Sequence, residues 1–280
     1  MPEHVYPPVV YDDFERIPSS LPPLDKDPRT SRRFAVVLDC EMVGVKGGAS
    51  ELAQLCVVDL LTAEVLVNSL VEPTKQVVDW RTKYSGIRAN DMMLAIRNNR
   101  ALRGWKEAQM ELSKYIDSNT LLIGHALQHD LKALHLIHYR VMDTSIMTRL
   151  AVSQECIRSW SLKTLCAELA NRAIQNHGAK GHDCLEDTLA TREVFLQCIL
   201  QPEELERWAS KRLVEEQVKA LARKLEKSLR AERANSQAVG RTVSCDEEED
   251  YYESEVLHWS DIAEDMGWPH PDTGYDPWSD

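Results

Sequence analysis

From residue 34 onward the chain carries two kinds of apolar pattern in succession. "RFAVVLDCEMVGV", "LAQLCVVDL" and "AEVLVNSLVEP" are short runs dense in β-branched residues with brief gaps between them. They predict a meander of three antiparallel strands. Further along, apolar positions recur at helical spacing in "ALRGWKEAQMELSKYI", "QHDLKALHLIH", "SLKTLCAELA" and "CLEDTLATREVFLQCIL". Between these lie a short buried strand, "TLLIG", and a strand end, "RVMDT". A meander followed by alternating helices and strands predicts an α/β fold, a mixed sheet with helices packed on it.

The flanks read differently. Residues 1–33 are Pro-rich with no helical or strand period and predict an extended arm; 34–200 form the folded domain. Residues 201–235 open with a proline at 202, contain no later breaker and predict one long charged helix. Its narrow apolar stripe, Val214, Val218, Leu221, Leu225 and Leu229, is a docking face for the body or for a protein partner's helix. Residues 236–280 are acidic and tryptophan-bearing, and are expected to be disordered.

Charge changes the picture. The net charge of −12 argues at first against a nucleic-acid partner. From 236 to 280, however, there is one Arg against thirteen Asp or Glu, so this segment carries all of it and the preceding 235 residues sum to zero. The seven cysteines are scattered, without a CxxC pair, which excludes a zinc ribbon and points to a reducing compartment. The N-terminus has no basic start and apolar core of a secretory signal, and no run is apolar enough to predict a membrane span.

The chemistry starts in the first strand. "VVLDCEMVGV" is a core strand with two acids in it. Alternation puts Asp39 and Glu41 on one face, Cα atoms about 6.6 Å apart, and Cys40 on the other. Two divalent ions in a phosphodiester-cleaving site sit about 3.5–4 Å apart, and such carboxylates can hold them. A bare Asp-x-Glu more often marks two acids facing water at a strand end, so the reading needs further acids. Asp130 follows a strand, Gly124 and His125, near a helix start; by itself it is an ordinary helix-start acid. Asp187 lies about one turn into a later helix capped by Asp183, with His182 on the loop before it. A histidine there suits a general base. The bland reading is a loop histidine beside a capping box. Arg97, Arg100, Arg103 and Lys106, three apart on a predicted helix start, read first as a solvated face and second as phosphate guides.

In that order these pieces resemble the DEDDh exonuclease arrangement. "LDCEMVG", "DWRTKYSGI", "LIGHALQHDLKAL", "MDTS" and "GHDCLEDTLATREVF" resemble, more closely, the RNA exonuclease 4 and interferon-stimulated exonuclease family over residues 34 to 200. The resemblance implies an RNase H-like fold, a mixed five-stranded sheet flanked by helices. It implies that Asp39, Glu41, Asp130 and Asp187 ligate two Mg²⁺ or Mn²⁺ ions and that His182 deprotonates the attacking water. The oxygen-rich ligand set independently favours these hard ions over zinc. It further implies 3′→5′ hydrolysis of single-stranded RNA to 5′-monophosphates, with DNA as the alternative substrate. An adaptor acting through its C-terminal helix and tail is the reading outside catalysis. By resemblance Met42 packs against the terminal nucleotide and Arg81 contacts its base. A core methionine and a surface ion-pair residue are the equally weighted alternatives. Trp80 stands where the family usually has Tyr. A nuclear location is the family-level expectation, with the cytoplasm as the alternative.

Overall fold

The computed structural model describes residues 15–16, 32–176, 178 and 181–240, the side chains of 15–16 and 231–240 excepted. A two-residue strand, β1 (Glu15–Arg16), precedes the meander of β2 (Ala35–Val45), β3 (Ser50–Asp59) and β4 (Val65–Glu72). Then come β5 (Val77–Asp79), the short helix α1 (Thr82–Ser85), α2 (Ala89–Arg97), β6 (Leu102–Arg103) and α3 (Gly104–Leu112). The second half alternates: β7 (Leu121–Gly124), α4 (Gln128–Ala133), β8 (Leu136–Ile137), β9 (Val141–Asp143) and α5 (Thr144–Val152). It ends in α6 (Leu162–Leu169), α7 (Cys184–Leu200) and the long α8 (Pro202–Gly240).

The sheet order is β6-β4-β3-β2-β7-β9, with β5 paired to the far end of β2. The meander pairs are antiparallel, whereas β2–β7 and β7–β9 are parallel, as crossovers through helices require. Five principal strands therefore form the expected mixed sheet, and two short ones, β5 and β6, extend it to seven. β1 pairs in parallel with β8, so the arm contributes a strand where none was expected. The rest of the arm up to residue 31 and the acidic tail from 241 lie outside the described residues.

Both faces of β2 are covered, which explains its near-continuous apolar run. Val36, Leu38 and Cys40 face Leu112 of α3 and Leu127, Leu131 and Leu134 of the α4 region. Ala35 and Val37 face Phe195 of α7, together with Val58 and Ile123. A third cluster joins α6, α7 and the start of α8 through Trp160, Leu165, Val194, Trp208 and Ala209.

Three local expectations shift. "QHDLKALHLIH" is helical only to Ala133; His135 takes a left-handed backbone (φ 50°) and the chain turns into β8. The helix expected across 101–116 begins at Gly104, whose φ of 70° suits glycine, after the short β6. Arg97, Arg100, Arg103 and Lys106 consequently do not share a helix: they fall on the end of α2, a loop, β6 and α3.

Candidate active site

Asp39 and Glu41 project from β2 on the face that α7 covers. The β2–β7 pairing stops at Val37 opposite Ile123. Beyond it the Cys40 N–H donates to Asp130 Oδ1 at 2.9 Å. That bond ties α4 to the strand between the two acids. Asp130 is buried, and so is Asp187. Directly after the acids the pairing shifts, with Ala53 as the extra, bulged residue of β3 between the partners of Glu41 and Met42.

The approach to α4 is built by a residue that the sequence pattern does not single out. Asp143, fully buried at the end of β9, accepts from the Ala126 N–H (3.0 Å) and the Leu127 N–H (2.8 Å). It also caps α5 through the Ser145 N–H (2.9 Å) and hydroxyl (2.7 Å). One carboxylate thus fixes the left-handed turn at Ala126 (φ 54°) and the helix carrying Asp130. An acid immediately before the "TS" of a helix start was the available signal, an N-cap.

Asp187 sits one turn into α7. Asp183 caps that helix by accepting from the Leu185 and Glu186 N–H groups. The Glu186 carboxylate accepts from the Gln175 N–H at 2.9 Å. The Gln175 amide in turn donates to both Asp187 oxygens at 3.1 Å. His182 Nδ1 lies 3.3 Å from Asp187 Oδ2 with its ring partly exposed. Its backbone N–H donates to Tyr84 O at 2.9 Å, and the Tyr84 ring meets the imidazole edge-on. The loop reaches this position only because residue 181 is glycine. Its φ is 84°, and a Cβ there would stand 2.1 Å from Thr82 O and 2.6 Å from Gly86.

The electrostatics follow from the crowding. Burial first, and then repulsion by Asp187, raises Asp39 to about 7. Burial followed by Asp39, Asp187 and Asp183 raises Glu41 to about 9. Burial and the neighbouring Asp39 hold Asp130 well above its ordinary range. His182 moves up because Asp187 hydrogen-bonds its ring. Asp39, Glu41 and Asp130 thus resist ionisation, first because they are buried and next because neighbouring acids repel them. Cys184 joins them: its thiol donates to Asp39 O at 3.4 Å, and a ligand atom of Asp39, Glu41 and Cys184 all lie within 4.8 Å of one another.

Met42 and Arg81 stand outside this cluster. Met42 packs, half-buried, against the core on the Cys40 face. Arg81 has a left-handed backbone and reaches Ser50 Oγ at 3.0 Å, over Gly44 near the end of β2. Trp80 packs beside Val43 and Ile87. A cleft of about 400 Å³ opens beside His182, lined by Gln54, Asn68, Ile87, Asp91 and Cys184 among others. A second, of about 370 Å³, shares Asn68, Leu70 and Asp91 and reaches Arg100.

Comparison with known proteins gives the family and the fold. The exonuclease family model, RNase_T, matches residues 36–195, more than half of the chain. RNA exonuclease 3 of Candida albicans is 34% identical over 165 residues, 59% of this chain and 38% of that protein. Human interferon-stimulated 20 kDa exonuclease-like 2 is 36% identical over 169 residues, 58% of this chain and 45% of that protein. The chain spans less than half the length of these relatives. Among solved structures, the Saccharomyces cerevisiae Pan2 pseudoubiquitin hydrolase–RNA exonuclease module in complex with AAGGAA RNA superposes with a TM-score of 0.53. The match is 20% identical and covers 72% of this chain and 34% of that one. The likeness is one of fold.

Proposed function

We propose, since this chain belongs to the exonuclease family, that it hydrolyses single-stranded RNA from the 3′ end to 5′-monophosphates. The observation that carries the reading is that Asp39 and Glu41 of β2 stand together, Asp130 of α4 is tied to the Cys40 N–H between them, and Asp187 of α7, which repels both, engages His182. Asp39, Glu41 and Asp130 resist ionisation because of burial and one another, so the donor set fits a pair of Mg²⁺ or Mn²⁺ ions. When bound, two such ions supply the charge that activates water and stabilises the leaving 3′ oxygen.

The chain's own residues do the rest. Asp187 engages His182 Nδ1, which leaves Nε2 as the ring's free basic atom, and His182 lines the cleft. Nε2 takes the proton of the attacking water. The Gln175 amide holds both Asp187 oxygens and so fixes the carboxylate that orients the imidazole. The two adjoining clefts between His182 and Arg100 give the strand a path across β3 and β4. Arg81, over Gly44 at the end of β2, is the residue placed to meet the terminal nucleotide; Met42, assigned to that nucleotide by resemblance, packs on the opposite face of the strand.

The test is a 5′-labelled single-stranded RNA and the matched DNA, incubated with the chain in Mn²⁺, Mg²⁺ or EDTA. A ladder shortening from the 3′ end of RNA, dependent on metal and absent for Asp187→Asn, is expected. A DNA-only ladder would reassign the substrate. Intact RNA and DNA in both metals would overturn the enzyme reading.

A further inference from the structure

Helix α8 behaves as two halves. Its first three turns dock on the body through Leu205, Trp208, Ala209 and Leu213. Trp208 Nε1 donates to Glu168, Arg212 pairs with the same carboxylate, and Arg158 reaches Glu216 at 2.7 Å. Past that point Val214, Val218, Leu221, Leu225 and Leu229 are 46% to 65% exposed, an apolar stripe with nothing over it among the described residues. Along the stripe, from 214 to 230, five Lys or Arg stand against three Glu. Glu215 and Glu216 pair with Arg212 and Arg158 of the docked region, and Lys219 also reaches Glu216 at 3.2 Å.

A second copy of the same helix is a poor occupant. The stripe spans little more than two heptads, short of the three or four a coiled coil needs. Two copies would also bring like-charged flanks together. The fitting occupant is acidic and apolar at matching spacing. Residues 246–265 hold ten acids and no Lys or Arg, and they follow α8 in the same chain. The register also fits. α8 ends at Gly240, a residue suited to a reversal. Counting outward from Gly240, Met266 mirrors Val214, Ile262 mirrors Val218, Trp259 mirrors Leu221 and Tyr251 mirrors Leu229. Only Leu225 meets an acid, Glu255, with Val256 next to it. On the flanks, Asp261 mirrors Lys219 and Glu253 mirrors Lys227.

We infer that the apolar stripe of α8 is the dock for residues 251–266 of the same chain, folded back antiparallel about Gly240. An amphipathic segment laid along a helix face uses its apolar positions for affinity and its charges for register. The acidic segment is thereby held at the distal end of α8, its charge spent on the helix. The inference is independent of the catalytic reading, because its readouts involve no substrate.

Zero-length carbodiimide cross-linking of the full chain tests it, in an equal mixture of light and ¹⁵N-labelled protein. Links from Lys219 to Asp261 and from Lys227 to Glu253, formed within one copy and lost in about 1 M salt, are expected. In the full-length Trp259→Ser/Ile262→Ser variant, which leaves α8 untouched, amide exchange across 214–229 should quicken at least about tenfold while the body's melting midpoint stays put. Links formed only between copies, no links, or exchange indifferent to the double substitution would each overturn the inference.

Discussion

The acid-bearing end of β2 and the distal half of α8 are opposite violations of one rule. In β2, carboxylates sit where apolar side chains belong: Glu41 holds its proton to about 9 and Asp39 to about 7. In α8, aliphatic side chains sit in water, Leu221 at 65% exposure. Neither is stable by itself, since a buried charge wants a counter-charge and an exposed stripe wants cover. The difference lies in what each lacks. The strand lacks positive charge at a point, which small cations supply. The helix lacks apolar area along a line, together with negative charge beside it, which only a polymer supplies.

The sharpest way to break this contrast is to remove one acid. Asp39→Asn should cut metal-dependent RNA hydrolysis by more than the ~10²–10⁴-fold that loss of a proton-transfer group costs. The same variant should melt higher than the parent without metal, because one member of a self-repelling cluster is gone. An active variant, or one less stable than the parent in EDTA, would count against the site. His182→Ala comes next, with a rate loss of ~10²–10⁴-fold and an unchanged melting midpoint. In the parent, activity should fall as pH drops through the raised His182 pKa, since the base acts unprotonated and Asp187 holds the proton on. A flat profile between pH 6 and 8 would remove His182 from that role.

Smaller effects sharpen the comparison. Asp143→Asn leaves buried N–H groups of the Ala126–Leu127 turn poorly paired and should cost about 1–3 kcal/mol in denaturant melts. In the metal-free chain, Asp39 and Glu41 titrate at about 7 and about 9 when folded, against ordinary values of 3.8 and 4.5. The folded state therefore binds more protons across that window and loses stability as pH rises from about 4 to about 9. Saturating Mn²⁺ should flatten that slope, and a melting midpoint that rises with pH in EDTA would contradict it. At the other pole, Leu225→Gln should alter the body's stability by no more than about 0.5 kcal/mol, because the body does not use that side chain.

What the sequence discloses divides along the same physical line. Alternation in "VVLDCEMVGV" places Asp39 and Glu41 together, and a one-turn offset from a cap places Asp187 above them. These are local periodicities. The parts left dark are held by contacts distant in sequence. Gln175 reaches Asp187 from a left-handed loop residue, and Cys184 meets Asp39 across 145 positions. α1 is four residues long and has no period to read, yet its Tyr84 carbonyl accepts from the His182 N–H. The turn that ends α4 early hinges on a left-handed His135, a conformation that histidine does not announce.

On this reading the clustered acids of β2, α4 and α7 form a divalent-cation site. Calorimetric titration of the metal-free chain with Mn²⁺ tests it most directly. The account predicts two ions bound per chain, with protons released as Asp39 and Glu41 ionise, and loss of that binding in Asp39→Asn. A titration without heat or proton release, or one unchanged by the substitution, would contradict it.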